Sequence, residues 1–345
     1  MSNVKLHNRL NRASAEKIIS KETFNRTVLS FYKYVIIEEP YFLRNYLFVG
    51  WKDLGVLGRV YLAKEGVNAQ VSVPDHRLKD FRAFVDSVSY FKGLEFLFGL
   101  EKNNLSFLKL AVKVKSQIVA DGLRAKEYDV TNPGKHLSAK DWNQLTDRGS
   151  IIVDMRNHYE SEVGHFEGAI LPETVTFKEE LPLVKKLLKG KEKENVLLYC
   201  TGGIRCEKAS AYLKHYGFKN VHQLSGGIVK YTSETNELGI KNYFKGKNFV
   251  FDNRLGERIS EEVISNCHQC GGSSDNHTNC KNLNCNLLFI QCVKCKKAYD
   301  NCCSPACIEV VSFPPEKQKK LRKKIKNKEI FNSHKKVNLI LAFKK

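Results

Sequence analysis

Apolar positions in the first third of the chain alternate as β-strands require, with two stretches of helical spacing among them. Strands are predicted at residues 27–37, 58–63, 67–73 and 108–114, and helices at 40–54 and 76–88. The order β-α-β-β-α-β is the split βαβ arrangement of a ferredoxin-like α+β domain. Because this segment holds neither a cysteine nor clustered histidines and carboxylates, we expect it to bind or pack rather than to catalyse.

After the breaker at residues 132–134, short apolar runs alternate with helical patterns. Strands are predicted at 151–155, 196–199 and 221–224, and helices at 181–188 and 206–216. This rhythm predicts an α/β domain, a doubly wound parallel sheet with helices on both faces. In such sheets reactive groups lie at the carboxyl ends of strands, where Cys200 falls.

The loop after the strand 196–199 carries the clearest chemical signal. It reads Cys200-Thr201-Gly202-Gly203-Ile204-Arg205. The two glycines let backbone N–H groups converge on the sulfur of Cys200, at the positive end of the next helix. We therefore predict that Cys200 is a nucleophilic thiolate, that residues 201–205 form its cradle, and that Arg205 pairs with an anion or transition state. A buried structural cysteine is the alternative.

Three further residues are candidates for supporting this loop. Cys206 is predicted to be the first helical residue, outside the cradle, with a supporting or bystander role. Asp154 and Arg156 end another predicted strand and can help to fix the loop. The alternative for that pair is an ordinary surface ion pair.

Cysteine usage separates this chain from secreted disulfide scaffolds. The first 199 residues contain none of the eleven cysteines, and nine lie between residues 267 and 307. Two Cys-x-x-Cys pairs suggest a structural zinc site, and the remaining cysteines suggest a second one, interleaved with the first. The predicted ligands are Cys267, Cys270, Cys292 and Cys295 for one zinc, and Cys280, Cys285, Cys302 and Cys307 for the other, with Cys303 beside them. Free thiols or disulfides are the alternatives.

Net charge changes the expected partners. The 345 residues carry a formal charge of +20, and residues 316–345 alone hold twelve Lys or Arg against two Glu. A polyanion such as nucleic acid fits this excess, although a solvated tail would explain residues 316–345 equally well. With no signal-peptide core and no membrane-length apolar run, we expect a soluble, cytoplasmic protein without a membrane partner.

A segment before the cysteines interleaves aromatic rings with positive charge. Its candidates for RNA binding are Lys245, Lys247, Phe249, Phe251 and Arg254. Aromatic faces stack unpaired bases, and cations contact phosphates. The alternative is an apolar strap packed on the sheet.

The motifs Asp154-Met155-Arg156, Gly164-His165-Phe166-Glu167-Gly168-Ala169 and Cys200 to Arg205 together resemble a rhodanese domain. With the ferredoxin-like segment and the cysteine cluster, residues 27–310 resemble the bacterial tRNA uridine hydroxylase family. The resemblance implies oxygen-dependent hydroxylation of carbon 5 of the wobble uridine, position 34, with molecular oxygen as co-substrate. It also implies that Cys200 is the active-site, persulfide-forming cysteine. Tyr231 departs from the wider rhodanese pattern, which often has Trp there.

The expected partner is therefore the anticodon loop of tRNA, and no DNA partner is expected. No flavin or nicotinamide fingerprint is present. The alternatives are a persulfide-carrying sulfurtransferase, in which Cys206 resolves the persulfide, and a non-catalytic RNA-binding adaptor. The predicted segments are a polar N-terminus (1–24), the ferredoxin-like domain (25–120), a linker (121–135), the rhodanese domain (136–240), the aromatic-basic strap (241–262), the Cys-rich module (263–310) and a basic tail (311–345).

Overall fold

The computed structural model describes residues 6, 10–101, 104–123, 128–323 and 339–340. Most of the predicted basic tail, residues 324–338 and 341–345, therefore lies outside the described residues. The chain forms two compact units. The first comprises residues 1–151, 188–242 and 250–254, and the second comprises 152–187, 243–249 and 255–345.

Helices and strands alternate along most of the described chain. The helices are α1 (Arg12–Ile19), α2 (Pro40–Asp53), α3 (Leu78–Ser87), α4 (Ala139–Asp147), α5 (His158–Ser161), α6 (Phe177–Leu187), α7 (Ile204–His215), α8 (Gly227–Leu238), α9 (Val293–Ala298), α10 (Pro305–Ser312) and α11 (Pro315–Lys323). The strands are β1 (Arg26–Tyr34), β2 (Leu57–Ala63), β3 (Gly66–Pro74), β4 (Leu97–Phe98), β5 (Leu110–Val114), β6 (Lys135–Leu137), β7 (Ile151–Asp154), β8 (Gly164–Phe166), β9 (Asn195–Tyr199), β10 (Asn220–Leu224), β11 (Phe244–Asn248), β12 (Glu257–Arg258), β13 (His277–Asn279) and β14 (Leu288–Ile290).

The amino-terminal sheet of the first unit has the order β4-β1-β3-β2-β5. Its β4-β1-β3-β2 portion is the ferredoxin-like arrangement that the sequence predicts. One of its faces packs on a core in which the buried rings of Trp51 and Phe81 meet edge to face, 5.2 Å apart. Burial alternates along most of β2 and the first half of β3, which leaves the opposite face of the sheet there for other contacts.

The predicted last strand of this domain was misplaced. The fourth strand of the ferredoxin-like set is the two-residue β4, which pairs with β1 through Leu29–Phe98 and Ser30–Leu97. The predicted strand at 108–114 is β5, which extends the sheet beyond β2 in parallel. Two residues are too few to show an alternating pattern, so the longer apolar run took the place of β4 in the prediction.

The rest of the first unit contains β6, β10 and β9, which lie side by side in parallel. Helices α4 and α8 contact each other there, and the Tyr231 hydroxyl donates a buried hydrogen bond of 2.7 Å to Asn143 Oδ1. Tyr231 is fully buried. A tyrosine at this position therefore fills the core and also satisfies a buried amide.

In the second unit, β8, β11 and β12 form an antiparallel sheet, and β13 pairs with β14. Around β14, Leu287 and Phe289 pack with buried cysteines in a small core. Among the described helices, none has the length and apolar composition needed to cross a bilayer.

Candidate active site

Cys200 lies between a buried strand and a helix that begins sooner than the sequence predicts. Residues 196–199 of β9 are buried, and α7 starts at Ile204 with Gly203 as its N-cap. Gly203 has φ of 96°, in the left-handed region that favours glycine. Its backbone N–H donates to the sulfur of Cys200 at 3.1 Å. The loop therefore curls back on the sulfur.

The surroundings of Cys200 favour its thiolate. Burial would raise the pKa of this cysteine, but the hydrogen bond from the Cys206 thiol and the charge of Arg205 oppose burial. With the N–H groups of Arg205 and Gly203, they lower the pKa of Cys200 to about 6. A pKa of about 6 favours the ionised sulfur at neutral pH, which is the form in which cysteine attacks electrophiles.

Cys206 is closer to the chemistry than predicted. It is the third residue of α7 rather than the first, and its thiol hydrogen-bonds to Cys200. Burial and that hydrogen bond raise the pKa of Cys206 well above its ordinary value. The helix starts two residues earlier than predicted, and the thiol of Cys206 lies beside the cradle in hydrogen-bond contact with Cys200. The lowered pKa of Cys200 and the raised pKa of Cys206 make Cys206 the proton donor of the pair.

The amino-terminal sheet also contributes to this loop, a role that the sequence reasoning missed. The hydroxyl of Tyr32 donates to Glu207 Oε1 at 2.9 Å, and the hydroxyl of Tyr34 donates to the Ile204 carbonyl at 3.2 Å. A Cβ on Gly203 would lie 2.9 Å from the Tyr32 hydroxyl. A sequence signal for this role exists. Side chains alternate between the two faces along β1, so Tyr32 and Tyr34 share the face opposite the core.

Glu207 is the centre of a small polar network beside the cradle. Besides Tyr32, it accepts hydrogen bonds from His136 at 2.8 Å and Gln223 at 2.9 Å. Burial raises the pKa of Glu207, but the bonds from His136 and Gln223 outweigh it and lower the pKa overall. The hydrogen bond to Glu207 in turn raises the pKa of His136.

One residue further along α7, a buried lysine ties the helix to other parts of the first unit. Lys208 lies 3.0 Å from Glu65 and 3.1 Å from Asp121, and donates to the Val119 carbonyl at 3.0 Å. Both Lys208 and Asp121 are buried. This ion group holds the helix of the cradle against the β2–β3 turn.

Asp154 and Arg156 form a buried pair in the second unit. The guanidinium makes two hydrogen bonds to the carboxylate, at 2.9 and 2.7 Å, and one to the Gly164 carbonyl at 2.6 Å. Neither side chain is exposed. The alternative of a surface ion pair is therefore wrong.

The second unit gathers eight of its cysteines into two groups of four. The first group is Cys267, Cys270, Cys292 and Cys295, and the second is Cys280, Cys285, Cys303 and Cys307. The sulfurs of each group lie within 4.8 Å of one another. Four thiolates at about 2.3 Å from a zinc ion would separate neighbouring sulfurs by about 3.8 Å. The sulfurs of Cys270 and Cys292 are 3.7 Å apart, and those of Cys303 lie 3.6 Å from Cys285 and 3.7 Å from Cys307. These distances fit that geometry, so both groups could hold a metal ion.

The second group corrects one predicted ligand. Cys303 takes the place given to Cys302, whose thiol donates instead to the Asp300 carbonyl at 3.6 Å. The reason lies in α10, which starts at Pro305 after the N-cap Ser304. Its start brings the sulfurs of Cys303 and Cys307 within 3.7 Å of each other.

The aromatic-basic strap is largely occupied by its own contacts. Lys245 pairs with Glu262 at 2.6 Å and Lys247 pairs with Asp275 at 3.0 Å. Arg254 pairs with Asp252 at 2.6 Å, and both side chains are about 5 % exposed.

The aromatic side chains of the strap are likewise wholly or partly buried by contacts within the protein. Phe249 is 3 % exposed and packs edge to face on Tyr159 and His277, while Phe251 is half-buried. At Phe249 the structure therefore shows the apolar packing that was the alternative to base stacking.

Comparison of the sequence with known proteins identifies the family to which this chain belongs. Residues 26–118 match the UPF0176 acylphosphatase like domain, 138–234 the rhodanese-like domain, and 245–308 the rhodanase C-terminal domain. A tRNA uridine(34) hydroxylase of Leptospira interrogans is 53% identical over 96% of this chain and 91% of its own length. This chain belongs to the tRNA uridine(34) hydroxylase family.

Other members of the tRNA uridine(34) hydroxylase family agree. The proteins of that name from Photorhabdus laumondii and Yersinia enterocolitica are 48% and 47% identical, over 94% and 95% of their own lengths. The match spans the tyrosines of β1, the cradle and both cysteine groups. The family assignment therefore applies to the whole chain rather than to the rhodanese-like part alone.

Proposed function

We propose that this protein hydroxylates carbon 5 of the wobble uridine, position 34, in the anticodon loop of cytoplasmic tRNA. Molecular oxygen is the co-substrate: one oxygen atom becomes the 5-hydroxyl group, and the other leaves as water with two electrons and two protons from an external reductant. Cys200 is the reactive thiolate. The observation that carries the proposal is the cradle itself. A cysteine with a pKa of about 6 lies at the N-terminus of α7 in a chain that matches tRNA uridine(34) hydroxylases along its length.

The neighbouring residues have distinct tasks in this proposal. The N–H groups of Gly203 and Arg205 hold negative charge on the sulfur, and the Arg205 guanidinium stabilises an anion that forms beside it. Cys206 keeps its proton and can return one to the sulfur. For these groups to act on the substrate, the base of uridine 34 must lie within hydrogen-bonding distance of the cradle.

The deciding experiment measures 5-hydroxyuridine derivatives by mass spectrometry in tRNA from a deletion strain. The wild-type gene should restore the modification and Cys200→Ser should not, while Cys206→Ser should restore most of it. Full restoration by Cys200→Ser would favour a non-catalytic adaptor. Modification that continues in the deletion strain, with no second enzyme present, would contradict the proposal.

A persulfide-carrying sulfurtransferase is the second candidate, because Cys206 lies within hydrogen-bonding distance of Cys200 and can resolve a persulfide there. Oxygen separates the two reactions. Hydroxylation by the purified enzyme should stop under anaerobic conditions. A sulfurtransferase should instead carry labelled sulfur from a donor on Cys200 and turn over without oxygen.

We infer that each cysteine group binds one structural zinc ion, with four thiolates and no open position for substrate. A module as small as residues 263–310 gains much of its folding free energy from the metal. Protein purified under reducing conditions should therefore contain about two zinc ions per chain. Chelation should unfold this module, as read by proteolysis. Metal-free protein with unchanged protease resistance would refute the zinc assignment.

A further inference from the structure

One row of side chains crosses the amino-terminal sheet from β1 to β5. Tyr32 lies opposite Asn68, Asn68 opposite Tyr61, and Tyr61 opposite Lys113. Residues that pair directly across strands point to the same face of a sheet. Since Val60, beside Tyr61 in β2, is fully buried in the core, this row lies on the outer face.

The far end of the row carries a concentration of positive charge. A cavity of about 250 Å³ is lined by Arg59, Tyr61, Lys109 and Lys113, together with Asn253. The three cations are exposed, and in the described part of the chain they form no ion pair. None of the described residues that line the cavity carries a carboxylate. We call Arg59, Tyr61, Lys109 and Lys113 the basic sheet face.

The other end of the row reaches the cradle. The Tyr32 hydroxyl bonds to Glu207 and lies where a Cβ of Gly203 would be crowded. Neighbouring strands are about 4.8 Å apart, so the three steps from β1 to β5 span about 14 Å. A stacked strand rises about 3.4 Å per nucleotide. Because Asn68 in the middle of the row donates to the Ile118 carbonyl, a strand that passes beside this segment needs at least about four nucleotides.

We propose that the basic sheet face binds the phosphate backbone of RNA a few nucleotides from the base that reacts at Cys200. The half-exposed ring of Tyr61, with Lys115 Nζ 5.9 Å from its centroid, offers a surface on which an unpaired base stacks. Taking the RNA to be tRNA rests on the proposed function. The site chemistry is that of single-stranded or loop RNA.

Charge distinguishes this surface from the strap. Lys245, Lys247 and Arg254 each have a carboxylate partner, so binding a phosphate there would break an existing ion pair. On the basic sheet face, the like charges have no ion-pair partner among the described residues, and a polyanion relieves their repulsion. Several cations around an aromatic ring suit a chain of phosphates and bases better than one small anion.

The test reverses two charges at exposed positions. Arg59→Glu with Lys113→Glu is compared with Lys52→Glu with Lys79→Glu, which makes the same charge change on exposed positions of α2 and α3. Fluorescence anisotropy measures binding of an unmodified anticodon stem-loop over a salt series. The first variant should raise Kd at least about tenfold, and its salt slope should fall by about 1.4 to 1.8, because two phosphate contacts are lost. The control should stay within about twofold of wild type.

Two further readouts keep the result decisive. The ultraviolet titration of the Cys200 thiolate should be the same in both variants, which shows that the first unit is folded. If charge reversal disturbs that titration, the neutral variant Arg59→Gln with Lys113→Gln takes its place, with the same direction expected. In hydroxylation assays KM should rise while kcat stays within about twofold, because the lost contacts lie away from the reacting base.

Failure of this inference differs from failure of the proposed function. If the protein hydroxylates tRNA but the Arg59/Lys113 variant binds the stem-loop as the control does, the basic sheet face is not the docking surface. If the variant loses binding while no preparation hydroxylates tRNA, the docking surface stands and the proposed reaction falls. Equal salt slopes in the two variants would also overturn the inference.

Discussion

Replacing Cys206 with alanine isolates the strongest of the contacts that keep Cys200 ionised. The hydrogen bond from Cys206 is the largest contribution that lowers the pKa of Cys200 against its burial. A hydrogen bond to a charged acceptor is worth about 1.5–3 kcal/mol. At 1.36 kcal/mol per pKa unit, its loss should raise the pKa from about 6 to between about 7 and 8.

The assay follows the ultraviolet absorbance of the thiolate against pH and subtracts the curve of the Cys200→Ser protein. Zinc-bound thiolates stay ionised across this range and cancel in the subtraction. In wild type, the Cys200 signal should be lost as pH falls through about 6. In Cys206→Ala it should be lost at a higher pH, and the hydroxylation rate at neutral pH should fall with it. This measurement needs no access to the buried sulfur.

Cys206→Ser is the matched control, because its hydroxyl can still donate to the sulfur. It should keep the pKa of Cys200 within about one unit of the wild-type value. An unchanged pKa in Cys206→Ala would refute the argument, since the thiol would then contribute nothing to the ionisation of Cys200. An equal shift in both variants would refute it too, because loss of packing rather than loss of a donor would be responsible.

Three other predictions follow from the buried groups. Lys208→Met should lower the free energy of unfolding by about 3–5 kcal/mol in urea titrations, because it leaves Asp121 buried without its cation. As a control, Lys189→Met at an exposed position should change the free energy of unfolding by less than about 0.5 kcal/mol. Cys303→Ser should remove one zinc ion per chain by metal analysis, whereas Cys302→Ser should retain both, and the reverse ranking would contradict the ligand assignment. In urea titrations, Glu207→Gln should destabilise the protein more between about pH 4.5 and 6.5 than above pH 6.5. The fold raises the pKa of His136 above 6.5 and lowers the pKa of Glu207 below 4.5, so both partners are charged between these two pH values. The contact is lost as pH rises through the raised pKa of His136, and again as pH falls through the lowered pKa of Glu207.

The sequence alone was sufficient to predict structural features that are determined by residues close together in the chain. The strand, the loop from Cys200 to Arg205 and the following helix are contiguous, so their spacing specifies the strand–loop–helix turn. The first cysteine group was also predictable, because two Cys-x-x-Cys pairs have few other ways to combine. The ferredoxin-like order followed from the alternation of its longer strands.

Features that depend on tertiary contact were not reachable in this way. Cys302 and Cys303 are adjacent, so spacing cannot choose between them, and the start of α10 decides. Tyr32 is an ordinary strand residue until the fold brings Glu207 within 2.9 Å of its hydroxyl. The positive charge of the strap suggested a free RNA-binding surface. Lys247 is neutralised by Asp275, which is distant in sequence, and Arg254 by Asp252, two residues before it.

The burial of Cys200 has a consequence for its survival in an aerobic cell. A thiolate of low pKa is normally the first cysteine that peroxide converts to sulfenic acid and then to irreversible higher oxides. Here Cys200 is 1 % exposed, and the hydroxyls of Tyr32 and Tyr34 bond to the start of the helix that follows its cradle. The resting protein therefore combines a thiolate of low pKa with burial that limits the access of peroxide to its sulfur. Exposure of that sulfur only during substrate binding would keep the thiolate protected between reaction cycles.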